Sequence, residues 1–119
     1  MLAQYLDLTD EFNANGLVKF ETSSYDYAVV QIVGQGQTIY FNTTIDSGAI
    51  QGVTDGSILT SGNYYNAYAT QLSDGTLVSN SSVGGDGLYR INVVGRYIRL
   101  GGGPEASATK ILVMLTKIS

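Results

Sequence analysis

Apolar residues recur at every second position through most of this chain, and glycine or aspartate interrupts them roughly every 8–14 residues. That period belongs to strands, whose successive side chains point to opposite faces. Residues 16–22 set Leu17, Lys19 and Glu21 against Val18, Phe20 and Thr22. Residues 27–33 (YAVVQIV) are apolar on nearly every position and read as a strand central in a sheet. Gly34-Gln35-Gly36-Gln37 then reads as a hairpin turn leading to a partner strand at 38–45. Residues 63–72 read as one strand with Tyr64, Tyr68 and Leu72 on one face. Ser73-Asp74-Gly75 is a tight turn into Thr76-Leu77-Val78, and Gly84 to Gly87 is the next break. Residues 88–94 set Tyr89, Ile91 and Val93 against Leu88, Arg90 and Asn92. Residues 96–100 (RYIRL) follow, and 107–118 form a long last strand with Ile111, Val113 and Leu115 opposite Leu112 and Met114. The pattern predicts an all-β fold, a β-sandwich or jelly roll of seven to eight mostly antiparallel strands.

Two regions depart from it. Residues 46–62 hold four glycines and two aspartates, too long for a plain connection, and read as a functional loop or a loop hiding a short strand. Residues 1–15 carry Met1, Leu2, Tyr5, Leu6, Leu8 and Phe12 with Asp7, Asp10 and Glu11, and are too short for an independent helix. They form either an edge strand or arm folded on its own domain, or an arm lying on a neighbouring subunit. The chain therefore divides into an N-terminal arm, 1–15, and a sandwich domain, 16–119.

Composition removes whole classes of chemistry. The 119 residues include no cysteine and no histidine, which excludes thiolate nucleophiles, disulfides, Cys/His zinc sites and imidazole catalysis. Charged residues make up 13%, about half the roughly 25% of ordinary soluble domains, so polarity comes from Ser, Thr, Asn, Gln and Gly. A net charge of −4 argues against nucleic-acid binding. No apolar run reaches membrane-spanning length, and the first residues do not read as a signal peptide. Nine of the ten acids precede Gly87 and five of the six bases follow Asp86, a polarity that could set register between subunits.

A carboxylate pair of the glycosidase kind is the catalysis left open. Yet Asp46, Asp55, Asp74 and Asp86 each adjoin Gly or Ser in a turn, where Asp accepts from nearby backbone N–H groups. None of these loops has the ligand series of a calcium site. The glycine runs precede no helix that could cradle phosphate, so no cofactor is expected. The nine tyrosines, Tyr64, Tyr65 and Tyr68 among them, could serve as core, as contact residues or as sugar-stacking platforms.

Residues 20–118 resemble small β-sandwich virion proteins of tailed bacteriophages. The likeness lies in the strand Tyr27-Ala-Val-Val-Gln-Ile-Val33, in Gly87-Leu88-Tyr89-Arg90-Ile91-Asn92-Val93-Val94-Gly95, in Arg96-Tyr97-Ile98-Arg99-Leu100, and in Ile111-Leu112-Val113-Met114-Leu115. It implies a non-enzymatic capsid decoration or cement protein on the outer capsid surface, bridging neighbouring major capsid protein subunits. It also implies a homo-oligomer, with a homotrimer favoured by threefold lattice positions. The RYIRL strand is similar to one in discoidin-like sandwiches, which gives the alternative of a carbohydrate-binding module on a fibre or baseplate. On the cement reading, Met1, Leu2, Tyr5, Leu6, Leu8 and Phe12 anchor the arm. Arg96 and Arg99 then donate to Asp7, Asp10 or Glu11 of a neighbour.

Overall fold

The computed structural model describes residues 2–44, 65–92, 97–102 and 106–118. Ten strands and one short helix run through them: β1 (Leu2–Asp7), α1 (Thr9–Asn15), β2 (Leu17–Glu21), β3 (Tyr27–Val33), β4 (Tyr40–Thr44), β5 (Tyr65–Asn66), β6 (Ala69–Gln71), β7 (Leu77–Val78), β8 (Gly87–Asn92), β9 (Tyr97–Gly101) and β10 (Lys110–Lys117). They build two wholly antiparallel sheets, β1-β10-β3-β8-β6-β7 and β2-β9-β4-β5. The all-β sandwich expected from the alternation is the fold, with more and shorter strands than the pattern alone suggests. The loop read at 46–62 lies outside the described residues.

Alternation decides which side of each strand meets the core. In the six-stranded sheet Ala28, Val30 and Ile32 of β3, Tyr89 and Ile91 of β8, and Ile111, Val113 and Leu115 of β10 are all buried. Val18 and Phe20 of β2, Phe41 of β4, and Ile98 and Leu100 of β9 fill the layer from the other sheet. Phe41 and Tyr89 meet across the gap, with ring centroids 5.1 Å apart and planes tilted by 59°. The Tyr89 hydroxyl stays satisfied by donating to the Gly85 carbonyl at 2.6 Å. Burial, with the Asp86 charge second, raises its pKa above the ordinary phenol value.

The chain changes sheet more often than local pattern reveals. The turn at Gly34-Gln35-Gly36-Gln37 does not close a hairpin: β3 pairs with β10 and β8, whereas β4 pairs with β9 and β5 in the opposite sheet. Its backbone is bound elsewhere. Thr109 N–H donates to Val33 O at 2.8 Å and Gly36 N–H to Ser107 O at 2.8 Å, so the segment pairs with the approach to β10. Gly34 sits at φ +66°, and a Cβ there would run into the Thr109 side chain. The Asp86 carboxylate clamps the corner, accepting from Gly34 N–H at 2.8 Å and Gln35 N–H at 3.1 Å.

Residues 63–72 likewise do not form a single strand. β5 ends its pairing with β4 at Asn66, and β6 begins against β8 at Ala69. Ala67 and Ala69 are fully buried around exposed Tyr68, so small side chains let the backbone cross between sheets close to the core. The Ser73-Asp74-Gly75 turn does join a hairpin, β6 to β7, with Asp74 Oδ1 accepting from Thr76 N–H at 2.9 Å.

Residues 2–15 are built into the domain. β1 is the outer strand of the six-stranded sheet, in register with β10 from Leu2 opposite Lys117 to Asp7 opposite Leu112. After it α1 is stitched to the run into β10. Asn13 Nδ2 donates to Ala108 O at 2.9 Å, Ala108 N–H donates back to Asn13 Oδ1 at 2.8 Å, and Ile111 N–H donates to Thr9 Oγ1 at 3.0 Å. Gly16, at φ 73°, caps the helix by donating to Phe12 O. Phe12 itself is fully buried in the core.

Two outcomes follow. Phe12→Ala should lower unfolding free energy by about 3–5 kcal/mol, the usual cost of emptying a buried phenylalanine site, whereas Tyr5→Ala should change it by less than about 0.5 kcal/mol; urea titration followed by circular dichroism reads both. The Gly34 and Gln35 N–H donors hold the Asp86 carboxyl below the ordinary carboxylate range. Its stabilising contribution is therefore complete above the unfolded pKa of about 3.9 and is lost as pH falls through the lower folded value. The urea midpoint should drop more between about pH 6 and about pH 3 in the wild type than in Asp86→Asn. Equal drops would show that the clamp carries no linkage.

Candidate interaction surface

A sheet that packs against a partner on one side needs apolar side chains on that side alone. The six-stranded sheet has them on both. From β10 the sequence Ile111-Leu112-Val113-Met114-Leu115 sends three side chains inward and leaves Leu112 and Met114 on the solvent side, half-buried. From β3, Val29 faces outward between buried Ala28 and Val30, and is also half-buried. Pairing registers align these residues into rows. Tyr5, Met114, Val29 and Arg90 lie abreast across β1, β10, β3 and β8, and Asp7, Leu112, Gln31 and Leu88 form the next row.

Together they shape a depression of about 480 Å³ on the outer face, lined by Tyr5, Leu6, Val29, Leu88, Leu112 and Met114 among others. Tyr5 at its lip is 75% exposed. Polar groups sit at the margin. Arg90 stacks its guanidinium over the Tyr27 ring, with Cζ 4.1 Å from the centroid. Asp7 accepts from Thr9 Oγ1 at 2.7 Å and from Thr9 N–H at 3.1 Å. These bonds, with nearby Lys110 adding a smaller effect, hold its pKa low. The surface offers apolar contact area bordered by charged groups.

The residues expected at a subunit interface are distributed unevenly over this geometry. Tyr5 and Leu6 line the depression, and Leu2 on the same strand is exposed. Leu8 packs against the core, and Phe12 lies within it, so Phe12 cannot anchor an arm on a neighbour. Arg99 is also corrected: it is fully buried in the centre of the four-stranded sheet, in register between Lys19 and Asn42, and donates to Asn42 Oδ1 at 3.2 Å. A guanidinium enclosed in its own subunit cannot reach a neighbour's carboxylates. Met1 and Arg96 lie outside the described residues, as do Asp46, Asp55 and Tyr64. Tyr65 and Tyr68 are exposed but do not line the depression.

Leu112, Met114, Val29 and Leu88 were not singled out from the sequence. Their signal was present all the same, in two adjacent strands that are apolar on both parities. Asp74 and Asp86 spend their carboxylates on turn backbone. Among the described residues no group of three or more acids is placed to hold a metal ion.

No family model matches the chain, and no curated protein is significantly similar to it in sequence. In fold it is similar to the crystal structure of YomS, a protein derived from the SPBc2 prophage. The TM-score is 0.62 over 97% of this chain and 95% of that one, at 14% sequence identity. At that identity the likeness shows a shared fold running almost end to end.

Proposed function

We propose that the chain is a structural subunit of a phage particle, a decoration or cement protein that seats on the outer capsid surface and bridges neighbouring major capsid protein subunits. The observation that carries this reading is the apolar depression on the solvent side of the six-stranded sheet. A chain this poor in charge gains little from displaying Leu112, Met114, Val29 and Leu88 to water, and gains much from covering them. The shared fold with a prophage-derived protein supports the phage context.

Cementing needs no reactive group. A subunit that binds the assembled lattice and not its dissociated parts stabilises the shell by mass action alone. The rim supplies orientation, since Arg90 and Asp7 present opposite charges on either side of the apolar floor.

Expanded heads of the parent phage lacking this protein should lose heat resistance, and adding the purified chain should restore it. Met114→Lys, placed on the floor of the depression, should weaken head binding at least about tenfold while leaving the far-ultraviolet circular dichroism unchanged. Heads equally heat-resistant with and without the chain would overturn the proposal.

A further inference from the structure

The edges of the two sheets are not alike. Among the described edge strands β7 is two residues long, and β2 carries Lys19 and Glu21 within its five. β1 is six residues long, LAQYLD, with no lysine, no proline and a single charge at its end. Long edges without lysine, proline or an interior charge are what natural sheets avoid leaving open, because their free N–H and C=O groups template another strand. From this edge, we infer that β1 pairs antiparallel with β1 of a second copy of the chain. The joint makes a two-fold dimer in which the six-stranded sheets run on into one another.

Register follows from hydrogen bonding. Leu8 N–H donates to Ile111 O, which continues the pairing of Leu6 with Val113 and puts Leu8 and Ile111 at a hydrogen-bonding position of the ladder, Ile111 N–H turning to Thr9 Oγ1. Such pairs alternate along an antiparallel ladder, so Leu6, Gln4 and Leu2 direct their backbone groups at β10. Ala3, Tyr5 and Asp7 direct theirs at the edge that no other described strand covers. Those three are satisfied together only when Tyr5 faces its own mate on the axis and each Ala3 faces the other copy's Asp7.

This register also keeps faces matched. Tyr5, Ala3 and Asp7 share the outer face with Met114, Thr116 and Leu112, so both depressions open on the same side of the joined sheet. Charge agrees with it. No like charges stand opposite each other across the joint, since the Asp7 carboxylate faces Ala3. Each acidic end, with Asp7, Asp10 and Glu11, comes alongside the end where β10 finishes at Lys117. An isologous edge pairing closes at two copies, in place of the threefold arrangement that lattice positions favour. The pairing stands whether or not the dimer binds a capsid, so its test uses the purified chain alone.

The chain contains no cysteine, so single introduced thiols report cleanly on proximity. Hydrogen-bonded antiparallel partners lie about 5.5 Å apart at Cα, within reach of a short bismaleimide. Tyr5→Cys should therefore cross-link efficiently to a covalent dimer. Ala3→Cys, about 13 Å or more from its own mate, should not, whereas the double variant Ala3→Cys/Asp7→Cys should. Wild type should sediment at twice the 12.6 kDa chain mass, and Tyr5→Lys at the single mass with unchanged circular dichroism. A wild type that sediments as a monomer at about 100 μM, or that associates without the Tyr5→Cys cross-link, would overturn the inference.

Discussion

Strand β10 is paired on both sides, with β1 along one edge and β3 along the other, while Ile111, Val113 and Leu115 press into the layer between the sheets. Its approach holds α1 through Asn13 and Thr9 and the β3–β4 corner through Ser107 and Thr109. Because β10 holds β1 and β3 on its two sides, this sheet closes only when strands far apart in sequence have met. Contacts so distant in sequence slow folding, which is the kinetic cost of this topology. The benefit is a continuous outer face assembled from strands far apart in the chain.

The strands themselves were legible because alternation is a local property. Val18 and Phe20 in β2, Ala28, Val30 and Ile32 in β3, and Tyr89 and Ile91 in β8 are buried as their parity requires. Sheet membership was not legible. Nothing in Gly34-Gln35-Gly36-Gln37 distinguishes a hairpin from a crossing, because the deciding partners, Ser107, Thr109 and Asp86, stand far along the chain. The break inside 63–72 was hidden in the same way: alanines at 67 and 69 suit a strand as well as they suit a close crossing.

Site residues divided along a similar line. Apolar residues of the first strand stood out in the sequence, but the periodicity of residues 1–15 could not say that Phe12 turns inward on a helix while Tyr5 stays on the surface. Arg99 looked like an outward donor because it alternates with Ile98 and Leu100, and it does share the side opposite theirs. It is nevertheless enclosed, with Asn42 accepting from it. Parity tells which face a residue occupies, and says nothing of whether that face meets water.

The two outer faces therefore give the subunit a direction. On the four-stranded sheet the row opposite the core runs Lys19, Arg99, Asn42, where Arg99 and Asn42 are buried and the Lys19 ammonium lies 5.1 Å from the Tyr97 ring, so those polar groups are already enclosed. On the six-stranded sheet the corresponding row runs Tyr5, Met114, Val29, apolar until it reaches Arg90. Contact with a protein partner through the six-stranded side removes apolar area from water and leaves the enclosed Arg99 as it is. A sandwich built this way leaves apolar side chains uncovered on its six-stranded side. Because the lysine-free edge of β1 borders that same side, lateral pairing of copies would enlarge the apolar surface and leave none of it covered.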